Sequence, residues 1–412
     1  MTLDTVMARA LAHAQELQIA KVDLDISKYS LEEVRSLYYP SLTARFDTEY
    51  LHVYNENEGN QVSVGDYVST SLDSAYQNAF TLRLTYDLYQ FGTRPLKFEN
   101  AERDVRIASI KQSQETLQMQ LTILDIYRQG LILQKKRDTV RNILGHRKEI
   151  YRHGQRLQKA GKLGEQQVMN HAVDLAEEVS RGDRLDSEYQ TLLNALGRYT
   201  GVSYDLMATR FVALADSAAI RGAPDPQTLP EILAIEEEIR KKENEYAISR
   251  KEMLPRFYFS GAHRMYGRDD ANYIESLQDL EGRDASFAVY AEWNLFSGFR
   301  DVSKSRRLKM EIARLRLERD KQIEEVGARI RSLYDTYQLN TDRSENRLLR
   351  TARIAASNHN LERMSTQQIV DRIAALEKEI ELMQQQMDVD IQQTEQAAAA
   401  LELTLYQEGG AS

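Results

Sequence analysis

Residues Phe80 to Arg94, FTLRLTYDLYQFGTR, and Phe287 to Arg300, FAVYAEWNLFSGFR, are near copies in the two halves of the chain, and each runs directly into a very long helical pattern. In the first, Phe80, Leu82, Leu84, Tyr86 and Leu88 line one face of a strand, and Thr81, Arg83, Thr85, Asp87 and Tyr89 line the other. In the second, Phe287, Val289, Ala291, Trp293 and Leu295 repeat the apolar face, opposite Ser286, Ala288, Tyr290, Glu292 and Asn294. A strand that passes straight into a giant helix, twice, excludes most compact globular plans.

The remaining pattern repeats with it. Thr2 to Tyr38 reads as a helix ended by Pro40, and Leu42 to Tyr54 as a strand with one greasy and one charged face. Asn55 to Asn78, rich in Asn, Gly, Ser and Asp, reads as a connecting loop. From Thr93 to about Ala160 runs a helix on the order of 100 Å long, seamed by Ile110, Leu117, Leu121, Leu124 and Leu131. Gly161 and Gly164 break it, and a second helix follows from Glu165 to Tyr199. Residues 202–228, with Gly222, Pro224 and Pro226, form a linker.

The plan then restarts. Leu229 to Leu254 is helical, Pro255 ends it, Phe257 to Met265 alternates as a strand, and Gly267 to Asp284 is an acidic loop before the second copy. Arg300 to about Met364 is again a very long helix, and Ile369, Ile373, Leu376 and Ile380 begin a last one in three-four steps. Residues 1–201 and 229–408 are therefore two copies of one unit: helix, strand, strand, long helix, helix.

Composition narrows the class. Six Pro and nineteen Gly in 412 residues leave little punctuation for several small domains. Charged residues make up 28% and the mean hydropathy is −0.56. With no run of eighteen apolar residues, a bundle of transmembrane helices is excluded, whereas barrel strands of about ten alternating residues are not. The absence of cysteine excludes disulfides, thiolate metal sites and a cysteine nucleophile. A net charge of −9 argues against nucleic acid. No signal peptide is visible, so Met1 begins either a cytosolic or a mature chain.

A hairpin with one apolar face must bury it, against its own helices or in lipid. The helices leave at the same end of each hairpin and are too long and too charged to fold back over it, which favours lipid. Four strands cannot close a barrel, and an open edge in hydrocarbon leaves backbone groups unsatisfied, so several chains must share one barrel. Tyr50, Tyr54, Tyr86, Tyr89, Tyr258, Tyr266, Tyr290, Trp293 and Phe296 suit an interfacial aromatic belt or ordinary packing. A soluble coiled-coil scaffold explains the heptads but not four amphipathic strands at repeated positions.

The strand ends YDLYQFGTR and WNLFSGFR, the prolines before each first strand (YYPSL, MLPRF) and LGRYTG at the close of the first half resemble the TolC-type outer membrane channel family. The resemblance covers essentially the whole chain. It implies an α+β membrane protein: a homotrimer whose strands, about 41–54, 79–91, 256–266 and 286–296, build a twelve-stranded transmembrane β-barrel in outer membrane lipid. That barrel continues into a coiled-coil α-helical barrel across the periplasm. The implied function is the exit duct for type I secretion or multidrug efflux, coupled through a periplasmic adaptor to an inner-membrane transporter.

The same resemblance places the turns between paired helices at the periplasmic tip. The first, Gly161 to Val168, keeps Gly161 but carries Gln167 where Asp is common; the second, Ser365 to Arg372, carries Ser365 where Gly is usual and keeps Asp371. Asp371, Gln367 and Gln167 are candidate gate residues, and Gly161, Gly164, Ser365 and Thr366 candidate adaptor contacts. Three copies of Asp371 would make an acidic ring able to bind cations; the plainer alternative is a carboxylate stabilised at a helix N-terminus. With Gln at 167 and 367, hydrogen bonds rather than an ionic lock between the turns are expected. Gly92, Arg94, Gly298 and Arg300 mark the joint from barrel to tunnel, and Arg83, Asp87 and Glu292 face the lumen.

Nothing in the sequence nominates an enzyme, a cofactor or a metal centre. The seven His are scattered, and His146 and His153, seven apart on one helix face, lack a third ligand. GEQQV lacks the context and Lys of a phosphate loop. Glu236 to Glu238 reads as a solvated helix face. Asp269, Asp270 and Glu275 read as part of an outward loop.

Overall fold

The computed structural model describes residues 1–52, 60–64, 67–71, 74–214, 220, 222–342, 344–366 and 371–409. In chain order the elements are α1 (Leu3–His13), α2 (Gln15–Arg35), β1 (Ser41–Leu51), β2 (Asn60–Val64), β3 (Tyr67–Ser71), β4 (Ala75–Tyr89), α3 (Thr93–Lys159) and α4 (Glu165–Thr200). They continue with α5 (Pro230–Lys251), β5 (Arg256–Asp269), α6 (Tyr273–Gln278), β6 (Glu281–Glu292), α7 (Arg300–Asp342), α8 (Ser344–Thr366) and α9 (Arg372–Gly409). They form two compact units that cut across the two halves: Met1–Asp23, Ser109–Ala234 and Arg319–Ser412 in one, Leu24–Ala108 and Ile235–Glu318 in the other.

The first unit is helical. Val6 and Ala10 of α1, Ile123 and Tyr127 of α3, and Tyr189, Leu193 and Leu196 of α4 form its largest core, joined by Phe211. Phe211 comes from the segment read as a plain linker. Its ring packs where a Cβ on Gly130 would sit, 2.5 Å from Phe211 Cζ, so Gly130 admits the segment to the core. The Tyr127 hydroxyl donates to the Val212 carbonyl at 2.7 Å, and that of Tyr189 donates to Thr209 at 3.1 Å. Burial pushes the Tyr189 phenol up to about 12. A second core joins Ile143 and Ile150 of α3 to Ile373, Leu376 and Ile380 of α9; the α9 residues are those of the three-four seam expected from sequence, whereas Ile143 and Ile150 were not among the expected seam residues of the first long helix.

The second unit carries a four-stranded antiparallel sheet in the order β1-β4-β5-β6. Ser41 pairs with Thr85, Thr85 with Ser260, and Ser260 with Ala288. The start of β1, the end of β4, the start of β5 and the end of β6 therefore lie together, and all four helix connections leave from one end. β2 and β3 form a separate two-stranded ladder.

Several expected boundaries shift. The first helix breaks at Ala14 (φ −59°, ψ 118°) although no Gly or Pro stands there; Ala14 is buried in the helical core, and tertiary packing sets the break. The segment expected as a loop over 55–78 holds β2, β3 and the start of β4, because backbone pairing needs little apolar content. β5 runs on to Asp269, and α6 replaces part of the expected acidic loop. Asn272 caps α6, accepting from the Ile274 N–H at 3.0 Å. β6 starts at Glu281 and stops at Glu292, where Trp293 turns to donate to the Met253 carbonyl at 3.0 Å. α9 begins at Arg372, and α7 and α8, on either side of residue 343, cover the helix expected over 300–364.

Candidate functional site

The register sorts the sheet into two faces. Leu42, Leu84, Gly261 and Phe287 form one row across all four strands, and Phe46, Phe80, Met265 and Gly282 another on the same face. Many of these side chains are solvent-exposed in the single chain: Leu42 by 65%, Phe287 by 76% and Val289 by 65%. Phe287 also covers Gly261, where a Cβ would stand 3.0 Å from its ring. A contiguous exposed apolar sheet face of this kind marks a surface that meets lipid or another chain.

The opposite face is polar. Thr43, Arg83, Ala262 and Ser286 form one row, Asp87, Tyr258 and Tyr290 another, and Arg256 pairs with Glu292 beyond them. The Arg256 and Glu292 side chains meet at 3.0 Å, and Asp87 accepts from Gln90 Nε2 at 2.8 Å. Arg83, Asp87 and Glu292 are thus brought to one face. Tyr258 and Tyr290 lie on it too, stacked with centroids 5.1 Å apart, and Tyr266 is buried beside Ala79. None of these three belongs to an aromatic belt on the apolar face; Tyr54 lies outside the described residues.

One register shift corrects the alternation. Asp87 pairs with Tyr258 but Tyr89 with Phe257, so Leu88 is a bulge residue. Tyr89 crosses to the apolar row of Phe257, the reverse of strict period-two counting.

Both strand-to-helix joints have the same backbone. Thr93 N–H donates to Gln90 O at 3.0 Å, closing a turn whose central residues Phe91 and Gly92 have φ of 51° and 76°. Arg300 N–H donates to Ser297 O at 3.3 Å around Gly298 (64°) and Phe299 (63°). Two successive left-handed residues reverse the chain tightly, and Gly supplies one at each joint without strain. The other is a Phe, an uncommon residue there, packed on Tyr89 at 4.9 Å in one joint and Phe296 at 5.4 Å in the other. The arginines differ. Arg94 donates to the Asp87 carbonyl and lies against the rings of Tyr38 and Tyr86, whereas among the described residues the Arg300 side chain meets the neighbouring Asp301, at 3.2 Å.

At the first helix-helix turn, Gly161 (φ 69°) stops α3. Lys162 N–H reaches Leu157 O and Gly161 N–H reaches Gln158 O, both at 2.9 Å, the paired bonds of a Schellman motif. Gly164 opens α4, and Gln167 Oε1 accepts its N–H at 3.3 Å, so the candidate gate residue Gln167 serves as a helix cap. Gln367 lies outside the described residues, and Ser365 and Thr366 are the last described residues of α8. Asp371 is exposed just before α9, its carbonyl accepting from Ala375 at 2.9 Å. Beside it, Arg372 Nη2 and Nε stand 2.8 and 2.9 Å from Glu149 Oε1 of α3, and His146 Nδ1 is 3.4 Å from Glu379. An ionic tie therefore exists near this turn, one residue beyond Asp371, between helices rather than between turns.

Residues 6–202 match the profile of the family described as outer membrane efflux protein. The match covers most of the first half of the chain. Its fold extends the likeness to the whole length. The outer membrane channel CmeC of Campylobacter jejuni has 13% identity and a TM-score of 0.80, covering 99% of this chain and 86% of that one. The outer membrane protein VceC of Vibrio cholerae has 13% identity and a TM-score of 0.78, covering 99% and 95%. The MtrE outer membrane channel of Neisseria gonorrhoeae, in an open state, has 13% identity and a TM-score of 0.76, covering 99% and 88%. Comparison with curated protein sequences gives no match.

Sequence reasoning missed Glu149 and Glu379, because their partners, Arg372 and His146, lie more than two hundred residues away. It also misjudged Glu237. That carboxylate is 13% exposed and takes Arg103 at 2.8 Å and Arg240 at 3.0 Å, so it ties α3 to α5 in the sheet unit instead of facing solvent. Asp269 accepts from the Ala271 and Asn272 N–H groups at 2.9 and 2.5 Å, which lower its pKa. No group of three or more metal-ligating side chains stands together among the described residues, and no described helix is long and apolar enough to cross a membrane.

Proposed function

We propose that this chain is an outer membrane exit duct: three copies close one twelve-stranded barrel, four strands from each, above a helical periplasmic tunnel. The observation that carries the reading is the sheet, apolar and exposed on one face, polar on the other, with all its helices leaving from one end. From Leu42 to Tyr50 the apolar row of β1 runs eight residues, about 27 Å along the strand. Tilted by roughly 40°, it rises about 20 Å, close to the apolar band of a barrel. The open edges β1 and β6 supply the backbone groups through which copies pair. Lipid would meet the rows of Leu42 and Phe46, while Arg83, Asp87 and Glu292 would line the lumen.

The duct performs no covalent chemistry. It conducts cargo handed over by an inner-membrane transporter through a periplasmic adaptor, as in efflux or type I secretion. The turns at Gly161 to Gly164 and at Ser365 to Asp371 form the docking and gating end, with three Asp371 carboxylates around the axis. The family match of the first half and the fold of CmeC and VceC support this reading, and the exposed apolar face counts against a soluble coiled-coil scaffold. The test is biochemical. The chain should partition with membranes, need detergent, run as a heat-sensitive trimer and give unitary conductance in planar bilayers. A monodisperse dimer without detergent refutes the duct.

A further inference from the structure

We propose that the cavity enclosed by α3, α5, α7 and α9 in the helical unit binds a small amphipathic organic cation. Nothing in the duct reading requires such a site, and the inference does not rest on it. The cavity measures about 590 Å³, within the range of roughly 300–1,000 Å³ that takes a drug-sized molecule. Leu117, Leu121, Leu229 and Leu333 give it apolar walls.

Its polar lining carries an excess of carboxylates over guanidiniums, which suits a cation. Tyr406 lines the cavity at 5% exposure, and its hydroxyl has no hydrogen-bond partner among the described residues. The Glu231 carboxylate, at the first turn of α5, has neither ion pair nor hydrogen bond among them. Glu402 on α9 has only Arg329 of α7, at a long 4.0 Å, and that guanidinium is 68% exposed. On α3, Asp125 and Arg128 satisfy each other at 2.5 Å. Glu395 adds a further carboxylate from α9, so four acids face two guanidiniums.

Burial raises the pKa of both Glu231 and Glu402, with Arg329 opposing the shift. Both half-buried carboxylates would be stabilised in their charged form by a further positive charge beside them. The apolar walls select a ligand with an apolar body, and the absence of three convergent ligands among the described residues disfavours a bare metal ion.

The experiment is a fluorescence-anisotropy titration of the full chain in mild detergent with the cationic dye rhodamine 6G, and with anionic fluorescein as comparison. Saturable binding of the cation is expected. It should weaken about tenfold or more in the doubly isosteric Glu231→Gln, Glu402→Gln variant, and weaken as pH falls from 7.5 to 5 and the carboxylates take up protons. Ala399→Trp, which fills the cavity, should abolish it; circular dichroism checks that each variant keeps its helices. If that Trp variant unfolds, the isosteric pair decides alone. Absence of saturable binding, equal binding of fluorescein, or unchanged affinity in the Gln variant overturns the proposal.

Discussion

Replacing Phe46 by Lys separates a lipid-facing sheet from a water-facing one. Phe46 sits mid-row on the apolar face of β1, opposite Phe80, and is 48% exposed in the single chain. If that face met water, the loss would be limited to the half of the ring that is packed, at most about 1.5 kcal/mol. If it meets the bilayer midplane, a Lys there costs about 2–4 kcal/mol, and three copies in one barrel cost on the order of 6–12 kcal/mol together. Thr43→Lys is the control: Thr43 lies three residues away on the opposite face, in the row of Arg83, and its substitution should be nearly neutral. Denaturant titration of protein refolded into phosphatidylcholine vesicles measures both. Equal stability of the two variants within about 0.5 kcal/mol would refute the assignment of faces, since no lipid barrier could then distinguish them.

Other consequences are local. Gly161→Ala forces a left-handed Ala at the end of α3 and should cost about 1–2 kcal/mol, read as a lower thermal midpoint; an unchanged midpoint would mean the turn re-forms elsewhere. The Arg372 to Glu149 pair has side chains 41% and 49% exposed, so after solvent screening Arg372→Gln should speed amide exchange in the first turn of α9 by only ~1.4- to 5-fold. The reversed pair, Arg372→Glu with Glu149→Arg, should restore it. Asp371→Asn should weaken block of the conducting channel by multivalent cations, and unchanged block would remove Asp371 from the gate. Tyr189 stays protonated in the fold up to about pH 12, while an unfolded Tyr ionises near 10. Stability is therefore complete below pH 10 and falls as pH rises from 10 to 12. Tyr189→Phe should flatten that part of a urea-midpoint profile.

The joints show how far local pattern reaches. FGTR and SGFR were legible as strand-to-helix transitions, and Gly92 and Gly298 do adopt the left-handed backbone that glycine permits. The equal strain of Phe91 and Phe299 was not legible, because a Phe at positive φ is held there by neighbouring rings rather than by its own preference. Arg94 and Arg300 occupy matching places after the two strands yet have different surroundings: Tyr38, Tyr86 and the Asp87 carbonyl gather at the first. At the tip, Gly161 was readable as a helix stop. The role of Gln167 as a cap to Gly164 depended on the turn between them.

What the sequence alone determined is what short-range periodicity can encode: the alternating strands, the three-four spacing of the last helix and the glycine stops. These follow from side-chain direction along one element, which a neighbour three or four residues away already fixes. Tertiary structure decided the rest. The bulge at Leu88 moved Tyr89 to the other face, Phe211 turned a linker into core, and Arg372 found Glu149. The cavity around Tyr406 gathered carboxylates from three helices. Each of these depends on which distant segments share a surface, and the free energy that selects them, burial and charge pairing between elements, has no signature in the spacing of any one stretch.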